Sequence, residues 1–247
     1  MDAVPFVLAS GSPRRRELLA RILGEHGFHW SAAVFDEEDG GTEGLPPADL
    51  VLRLADGKRE AWTEERAHGA FAECFVLGAD TVVALGDEVL GKPRDAADAR
   101  RMLRALSGRR HDVVTGLSLA YVRDGRTVAC VRDAVETEVR FAELPEALVE
   151  WYAATGEPLD KAGAYGIQGH GALLVERIDG CYYNVMGFPL RRLYELMREL
   201  QEIPGVPRID SSLFPLRDGR DDGREGKGTD GCDARDDAGP ARGRPPV

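Results

Sequence analysis

Two patterns of hydrophobic positions follow one another along the chain: short apolar runs typical of buried strands, and apolar residues at the spacing of a helix. The run PFVLAS at 5–10 is apolar and ends in small residues, which predicts a short buried strand. The next apolar positions recur at helical spacing and predict an amphipathic helix; they are Leu18, Leu19, Ile22 and Leu23. Ser12 is a typical N-cap, Pro13 a typical first helical residue and Gly24 a typical stop signal. A strand, a small-residue loop and a helix start therefore follow one another directly.

The same criteria predict strands and helices over most of the remaining chain. A strand is predicted at 75–85, and Gly86-Asp87 indicates a turn into EVLGKP. Asp124-Gly125 lies between two apolar stretches and predicts a β-hairpin. Helices are predicted from about Ala48, with an interruption at Gly57, and over 95–106, 144–155 and 189–200. Mixed strands and helices indicate an α/β or α+β protein built on a sheet.

The last part of the chain differs in composition. From 217 to 247 it holds no aromatic residue, no leucine and no isoleucine, and Gly, Asp and Arg dominate. Such a segment buries too little apolar surface to offset the entropy of ordering. We therefore predict one folded domain over 1–204 and a disordered tail over 205–247. The tail holds 8 basic and 9 acidic residues, so a basic interaction tail is a weak alternative.

Charge and composition narrow the class of protein. The net charge of −11 argues against nucleic acid as a partner, but a local cluster of cations could still hold a polyanionic small ligand. No apolar run is long enough to span a membrane, and MDAVPFVLAS lacks the features of a secretion signal. We therefore expect no membrane partner and a cytoplasmic address. The four cysteines form no CxxC pair, which favours free thiols over a zinc site.

The stretch LASGSPRRRELL at 8–19 predicts a phosphate-binding loop. The first backbone N–H groups of a helix lack intrahelical partners, and the helix dipole is positive at that end. Small residues let a ligand approach, and Arg14 and Arg15 can donate forked hydrogen bonds to phosphate oxygens. Because arginines oppose the dipole there, three together suggest a compensating anion. A solvated helix face is the alternative.

Acidic residues at two places suggest a metal ion or a general base. Asp80 interrupts the apolar strand at 75–85, where a buried unpaired carboxylate is costly. Strand pairing after the turn would bring Lys92 back beside it, which fits a salt bridge or a site for metal and phosphate. The acidic stretch VFDEEDG at 34–40 could complete a magnesium site with Asp80. A turn-facing Asp80 and a solvated acidic loop are the alternatives.

Two further stretches carry polar side chains between predicted elements. LSGRRHDVVTG at 106–116 holds His111, for which a structural role is favoured over that of a base for a nucleophile. EPLDKAGAYGIQG at 157–169 is rich in glycine and also holds Asp160, Lys161, Tyr165 and Gln168. An aromatic ring can stack on a nucleobase, and an amide can hydrogen-bond to its edge. An ordinary glycine loop is the alternative.

Five ordered blocks closely resemble the Maf family of nucleoside triphosphate pyrophosphatases: LASGSPRRRELL, GADTVV with GKP, SGRRHDVVTG, DKAGAYGIQG and IDGCYYNVMGFPL. The resemblance runs from about Pro5 to Gln201. It implies an elongated, two-lobed α/β fold of the Maf/ITPase type, with a central mixed sheet flanked by helices and a deep cleft. It also implies hydrolysis of a nucleoside triphosphate to the monophosphate and pyrophosphate with a divalent metal cation, Mg²⁺ or Mn²⁺. AGAYGIQG resembles the branch that acts on dTTP and UTP.

The resemblance also implies roles for individual residues. Asp80 is expected to accept a proton or to anchor the metal ion, and Glu37 is expected to be the second metal ligand. Specificity is expected to depend on Arg14, Thr81 and Gln168. The group expected to bind the substrate phosphates consists of Ser10, Arg14, Arg15, Lys58 and Lys92.

The resemblance finally implies an assembly and a second class of function. A homodimer is expected from the family alone. Because members of the family are also described as inhibitors of septum formation, a nucleotide-binding regulator without turnover is the alternative to a pyrophosphatase.

Overall fold

The computed structural model describes residues 4–32 and 44–209, which form seven strands and six α-helices. The strands are β1 (Phe6–Ala9), β2 (His29–Ser31), β3 (Glu73–Leu85), β4 (Glu88–Leu90), β5 (Arg110–Arg123), β6 (Arg126–Phe141) and β7 (Val175–Asp179). The helices are α1 (Pro13–Leu23), α2 (Pro47–Ala70), α3 (Ala96–Leu106), α4 (Glu146–Ala154), α5 (Tyr182–Val185) and α6 (Leu190–Glu202). Short 3₁₀ helices lie between Glu157 and Leu173.

All of these strands belong to one mixed sheet. Its order is β2-β1-β3-β5-β6-β7, and β4 pairs with β3. β1 runs parallel to β2 and β3, whereas the other pairs are antiparallel. The hairpin between β5 and β6 turns at Asp124 and Gly125, whose φ angles are 51° and 70°. The predicted α/β fold with a central mixed sheet and flanking helices is confirmed, and so is the hairpin. The two-lobed outline stays an expectation.

One edge of β3 is unpaired over a short stretch. β1 pairs with this edge as far as Gly78, and β4 pairs with it from Val83. Between these points, residues 79–82 have β5 on one side and, within the described ranges, no strand on the other. Successive side chains of a strand point to opposite faces of the sheet. Where the neighbouring strand is missing, side chains from both faces can border the same opening. The topology therefore leaves an opening beside the middle of β3.

Helix α2 lies directly on the sheet because two strand residues lack a side chain. A Cβ at Gly78 would lie 2.1 Å from the carbonyl oxygen of Ala55, and a Cβ at Gly116 would lie 2.4 Å from that of Val51. The predicted interruption at Gly57 is wrong, since α2 continues through it. Packing of the helix on the sheet outweighs the helix propensity of one glycine, which is roughly 1 kcal/mol unfavourable.

Buried apolar clusters hold the other helices to the sheet. The largest cluster joins α1 and α6 to β3 and β5; among its members are Leu18, Leu19, Phe75, Leu77, Leu119, Leu193 and Leu196. A second cluster packs α3 and α4 against the far end of β3 and β5; among its members are Val83, Met102, Leu103, Val113, Val149 and Tyr152. The helices thus fix both ends of β3, and the opening lies between them.

The ends of α1 agree with the sequence analysis. The Ser12 hydroxyl accepts a hydrogen bond from the backbone N–H of Arg15 at 3.4 Å, and the helix begins at Pro13. It ends at Leu23, and the following Gly24 has a φ of 76°. The predicted strand–loop–helix unit is therefore confirmed.

Several expectations concern parts of the chain that the structure does not describe. Residues 33–43 and 210–247 lie outside the described residues. The boundary at 204 and the disordered tail stay predictions, and of the described residues after 204, Ile209 belongs to the largest cluster and Val206 packs against it. In the described part, none of the helices has the length and apolar character needed to cross a membrane. Cys74, Cys130 and Cys181 are free thiols.

Candidate active site

A cavity of about 820 Å³ opens beside the gap in the sheet. Its wall comes from the loop after β1, α2, the middle of β3, the residues after β4, the segment 160–165 and the chain after α5. The side chains with hydrogen-bonding or charged groups in this wall are Ser10, Ser12, Arg14, Arg15, Lys58, Asp80, Thr81, Lys92, Asp160, Lys161 and Tyr165. Five cations and two carboxylates share this space although the chain as a whole carries a net charge of −11. The local excess of positive charge favours an anionic ligand.

The start of α1 forms one side of the cavity. Gly11, Ser12 and Pro13 line it directly, so the positive end of the helix dipole lies at its wall. The backbone N–H of Ser12 donates to the buried hydroxyl of Ser10 at 3.3 Å. A Cβ at Gly11 would meet no atom within 4 Å, which leaves the backbone open to a ligand. This is the geometry in which helix N-termini bind phosphate.

Arg15 is an internal cross-link of this side of the cavity. It is 8% exposed, and Nε donates to the carbonyl oxygen of Gly187 at 2.9 Å. Nη1 donates to Ser10 Oγ at 3.1 Å and to the carbonyl oxygen of Ala79 at 2.9 Å, and Nη2 donates to Thr81 Oγ1 at 2.8 Å. The Ala79 carbonyl belongs to the unpaired edge of β3, so Arg15 satisfies an acceptor that has no strand partner there. Four of its five donors are used within the protein.

Lys58 and Asp80 form an ion pair at the cavity wall. Lys58 Nζ donates a hydrogen bond to Asp80 Oδ1, and the two side chains are 17% and 18% exposed. Burial lowers the pKa of Lys58, and the nearby charges of Arg15 and Lys92 act in the same direction. The Asp80 carboxylate opposes this shift through its charge and its hydrogen bond. The pair therefore holds a partly desolvated ammonium in place beside further cations.

The close approach of α2 to the sheet explains why these two residues meet. Asp80 lies two positions after Gly78, so both point to the face of β3 that α2 covers. Lys58 lies three positions after Ala55, whose carbonyl contacts Gly78, and residues at that spacing share a helix face. The close packing at these two strand glycines therefore brings Lys58 and Asp80 together, although they are 22 residues apart in the sequence.

Lys92 and Arg14 complete the cationic lining from two other directions. Lys92 lies just after β4, the strand that pairs with the end of β3. Arg14 is half-buried, next to the Ser12 N-cap. A Cβ at Gly166 would lie 3.3 Å from Arg14 Nη1, so this arginine extends towards the glycine-rich segment. The cations thus surround the cavity instead of lining one side of it.

The glycine-rich segment forms the opposite wall. Lys161 is 13% exposed, and its Nζ donates at 2.6 Å to Asp160 Oδ1 and at 2.6 Å to the carbonyl oxygen of Glu157. A Cβ at Gly166 would lie only 2.6 Å from Lys161 Cε. The glycine therefore lets the backbone pack on the lysine, which leaves Lys161 with a defined position at the cavity.

Tyr165 lines the cavity and is held from behind by His111. The Tyr165 hydroxyl and His111 Nε2 are hydrogen-bonded at 2.9 Å, and both rings pack edge-on against Phe141. Burial raises the pKa of Tyr165 and lowers the pKa of His111 to about 4. A neutral, buried His111 agrees with the structural role that the sequence analysis favoured.

The structure brings most of the predicted site residues together. Those that line the cavity are Ser10, Arg14, Arg15, Lys58, Asp80, Thr81 and Lys92. Gln168 is half-buried in the glycine-rich segment but is not among the described residues that line the cavity. Glu37 lies outside the described residues. The strand that precedes it, β2, pairs with β1 so that Ser31 lies beside Ala9, next to the start of the loop.

Two residues of the cavity wall, Asp160 and Lys161, carry no role among those that the sequence and the resemblance predict. The available signal was an adjacent pair of opposite charges that opens directly into a run of glycines. Small residues after a lysine indicate that the chain packs closely around its side chain.

The carboxylates of the cavity bear on whether the site could hold a divalent cation. Within the ranges 4–32 and 44–209, no three His, Cys, Asp or Glu side chains form a group that could hold a metal ion. Two carboxylates, Asp80 and Asp160, do line the cavity. Mg²⁺ is commonly bound by one or two carboxylates together with substrate phosphates and waters. Asp80 and the phosphates of a nucleotide fit that set of donors.

Comparison with known proteins agrees with this geometry. The family model described as Maf-like protein matches residues 5–200. A protein from Anaeromyxobacter dehalogenans (strain 2CP-C) named dTTP/UTP pyrophosphatase is 50% identical over 194 residues, which cover 78% of this chain and 92% of that protein. Proteins with the same name from Symbiobacterium thermophilum and Acetivibrio thermocellus are 46% and 44% identical, covering 78% and 79% of this chain and 93% and 95% of theirs.

Among solved structures, a HAM1 protein from Coxiella burnetii aligns with a TM-score of 0.43 and 14% identity. The alignment covers 79% of this chain and 99% of that protein. A similarity at this level carries no argument about function.

Proposed function

The chain belongs to the Maf-like protein family, and on this premise we propose that it is a pyrophosphatase that hydrolyses dTTP and UTP to the monophosphate and pyrophosphate. The observation that carries the proposal is the cavity, in which one carboxylate, Asp80, lies among cations from four separate parts of the chain. The names of relatives that are 44–50% identical support the substrate class.

In this proposal the triphosphate lies between the start of α1 and the cations of the cavity. The backbone N–H groups of Gly11 and Arg14 bind one phosphate, because Pro13 has no N–H and those of Ser12 and Arg15 already donate to hydroxyl oxygens. Arg14, Lys58 and Lys92 bind the others. Arg15 contributes mainly by holding the loop, since four of its donors are already used.

The ion pair between Lys58 and Asp80 provides the group that activates water in the proposed reaction. The incoming phosphates compete for Lys58, whose burial already disfavours its charge. When Lys58 shifts to a phosphate oxygen, the Asp80 carboxylate is released to take a proton from a water molecule. The water oxygen forms a bond to the α-phosphorus, and the bond from that phosphorus to the bridging oxygen breaks. Pyrophosphate leaves with the electron pair, and the surrounding cations stabilise the charge that builds on the phosphoryl oxygens.

A divalent cation belongs to the proposal through Asp80 and, by resemblance, Glu37. When bound, Mg²⁺ or Mn²⁺ supplies charge neutralisation on the phosphates and orients them. Asp80 is the described residue that would hold it, together with the phosphate oxygens of the substrate. Which of the two ions the protein uses is one variable of the experiment below.

Recognition of the base is proposed for the side of the cavity formed by the glycine-rich segment. Tyr165 offers an aromatic ring, although its edge-on packing with His111 and Phe141 restricts how it can turn. Thr81 has a hydroxyl that Arg15 orients, and Gln168 offers both a donor and an acceptor. A homodimer is a further proposal from the family resemblance, and light scattering at micromolar concentration tests it.

The experiment that tests the function is a panel of natural and modified triphosphates with Mg²⁺ and with Mn²⁺, scored for pyrophosphate against single phosphate. We expect pyrophosphate and monophosphate in equal amounts, with dTTP and UTP as the fastest substrates. Asp80→Asn purified in the same way controls for a contaminating enzyme. Saturable nucleotide binding without product would instead support the regulator of septum formation, and a purine triphosphate as the fastest substrate would reject the pyrimidine assignment.

A further inference from the structure

The carboxylate of Glu157 lies at the centre of a set of hydrogen bonds behind the cavity wall. Its Oε1 accepts from the Tyr152 hydroxyl at 3.0 Å and from the backbone N–H of Gly171 at 3.2 Å. Its Oε2 accepts from the backbone N–H of His170 at 3.1 Å and lies 3.0 Å from His170 Nδ1. Burial acts to raise the pKa of Glu157, but these hydrogen bonds together hold it below its ordinary value. The Glu157 carboxylate is therefore a charged acceptor, and both of its oxygens already accept hydrogen bonds from the protein.

The glycines of the segment pack tightly around these groups. A Cβ at Gly171 would lie 2.1 Å from the carbonyl oxygen of Gly166 and 2.8 Å from the Tyr152 hydroxyl. A Cβ at Gly169, where φ is 73°, would lie 2.9 Å from Glu157 Oε2. The chain from 166 to 171 therefore folds back on itself, and the Glu157 carboxylate lies where the two ends of this turn meet.

Glu157 is also connected directly to the cavity. Its backbone carbonyl accepts the hydrogen bond from Lys161, and the Tyr152 hydroxyl accepts one from the backbone N–H of Gly166 at 3.2 Å. Gly166 in turn packs against Lys161 and Arg14, and it follows Tyr165 directly. A displacement of the segment would therefore move the wall that faces the nucleotide, although Glu157 itself is not among the described residues that line the cavity.

We infer that Glu157 is a positioning residue: its carboxylate, together with the Tyr152 hydroxyl, fixes the segment 161–171 so that Lys161 and Tyr165 face the substrate. The inference rests on the proposed function, because it concerns the same site. A wall held in this way discriminates between nucleobases, since discrimination requires partners that do not shift to suit a different base.

The test uses Glu157→Gln, which keeps the shape of the side chain but replaces one acceptor oxygen with an NH₂ group that faces donors. We expect kcat/KM for dTTP to fall about tenfold or more, because small displacements of a binding wall have effects of that size. We expect the ratio of kcat/KM for dTTP to that for dCTP to fall about threefold or more. Hydrogen exchange of the backbone amides at 166–171 should become faster, while exchange in β3 and β5 should not.

Two further variants keep the test decisive. Tyr152→Phe removes only the hydroxyl that links Glu157 to Gly166, and it should also lower the ratio of kcat/KM for dTTP to that for dCTP. This variant replaces Glu157→Gln in the test if Glu157→Gln fails to fold. Glu150→Gln makes the same chemical change on α4, where the exposed Glu150 pairs with Arg100 and Arg104 of α3, and it should leave both kinetic values unchanged. An equal loss of activity for all substrates, with the ratio preserved, would overturn the inference. Absence of pyrophosphate release in the unmodified protein would instead reject the proposed function.

Discussion

Two charged side chains of opposite sign, the buried Arg15 and the half-buried Glu157, hold the two walls of the cavity, and they do so over very different distances along the chain. Arg15 donates to oxygens at Ser10, Ala79, Thr81 and Gly187, which belong to three parts of the fold. Glu157 accepts from donors that all lie between 152 and 171. One anchor connects separate elements, and the other shapes a single segment.

The difference determines what each anchor can control. Loss of Arg15 would leave several buried acceptors without a partner and would loosen β1, β3 and the chain after α5 at once. Loss of the Glu157 carboxylate would affect the local turn, because Tyr152 and Lys161 keep other contacts there. The wall held by Arg15 is therefore expected to be coupled to global stability, and the wall held by Glu157 to selectivity.

The largest effect is expected for the group that lies between the two anchors. Asp80→Asn removes the carboxylate charge without touching either anchor, and we expect kcat to fall about 10²- to 10⁴-fold, as for loss of a general base. The midpoint of thermal unfolding should fall, since Lys58 loses the charge that offsets its burial beside Arg15 and Lys92. Steady-state release of pyrophosphate and a melting curve measure both. Near-full activity of this variant would show that Asp80 does not accept the proton from the attacking water.

Arg15→Met tests the connection between separate elements. It removes four hydrogen bonds from buried acceptors, and we expect the free energy of unfolding to fall by about 3 kcal/mol. Arg16→Met is the matched control, because Arg16 is exposed and stacks on Trp30 with its guanidinium 4.8 Å from the ring centroid. The control should lose at most about 1 kcal/mol. Equal losses in urea denaturation of the two variants would contradict the contrast between the anchors.

The dependence of stability on pH tests the support behind Tyr165. His111 has a pKa of about 4 in the folded protein and an ordinary value of 6.5 when unfolded. The unfolded state therefore takes up a proton first as the pH falls, so stability is full above pH 6.5 and is lost towards pH 4. This residue alone should cost about 2 kcal/mol between pH 7.5 and pH 5. Urea denaturation at the two pH values measures this loss of unfolding free energy, which should be smaller for His111→Gln. An equal loss in the variant would show that His111 is not the titrating group.

The smallest effect is expected where the two walls meet. Arg14 lines the cavity and approaches Gly166, but it is only half-buried. Arg14→Ala should raise the KM for dTTP about tenfold, the size expected for one charge-assisted hydrogen bond. Stability should change little, in contrast to Arg15→Met one position further along. An unchanged KM would show that Arg14 faces solvent when substrate is bound.

Much of the local structure could be predicted from the sequence, because local signals decide it. Ser12, Pro13 and Gly24 mark the ends of α1 whatever surrounds them, and Asp124-Gly125 specifies a hairpin through its backbone preferences alone. The interruption at Gly57 was wrong for the opposite reason. Helix propensity is a weak local term, and the packing of α2 on Gly78 and Gly116 outweighs it.

What the sequence by itself determined is a set of chemically suitable groups: a helix start with arginines, an aspartate in an apolar strand and a lysine after the next turn. Only the tertiary structure decided that they meet, because the gap in the sheet lies between Gly78, the last residue of β3 that pairs with β1, and Val83, the first that pairs with β4. It also decided that Arg15 binds the protein while Arg14 faces the cavity. Neighbouring residues on a helix point in different directions, and only the packing around them assigns one inward and the other outward.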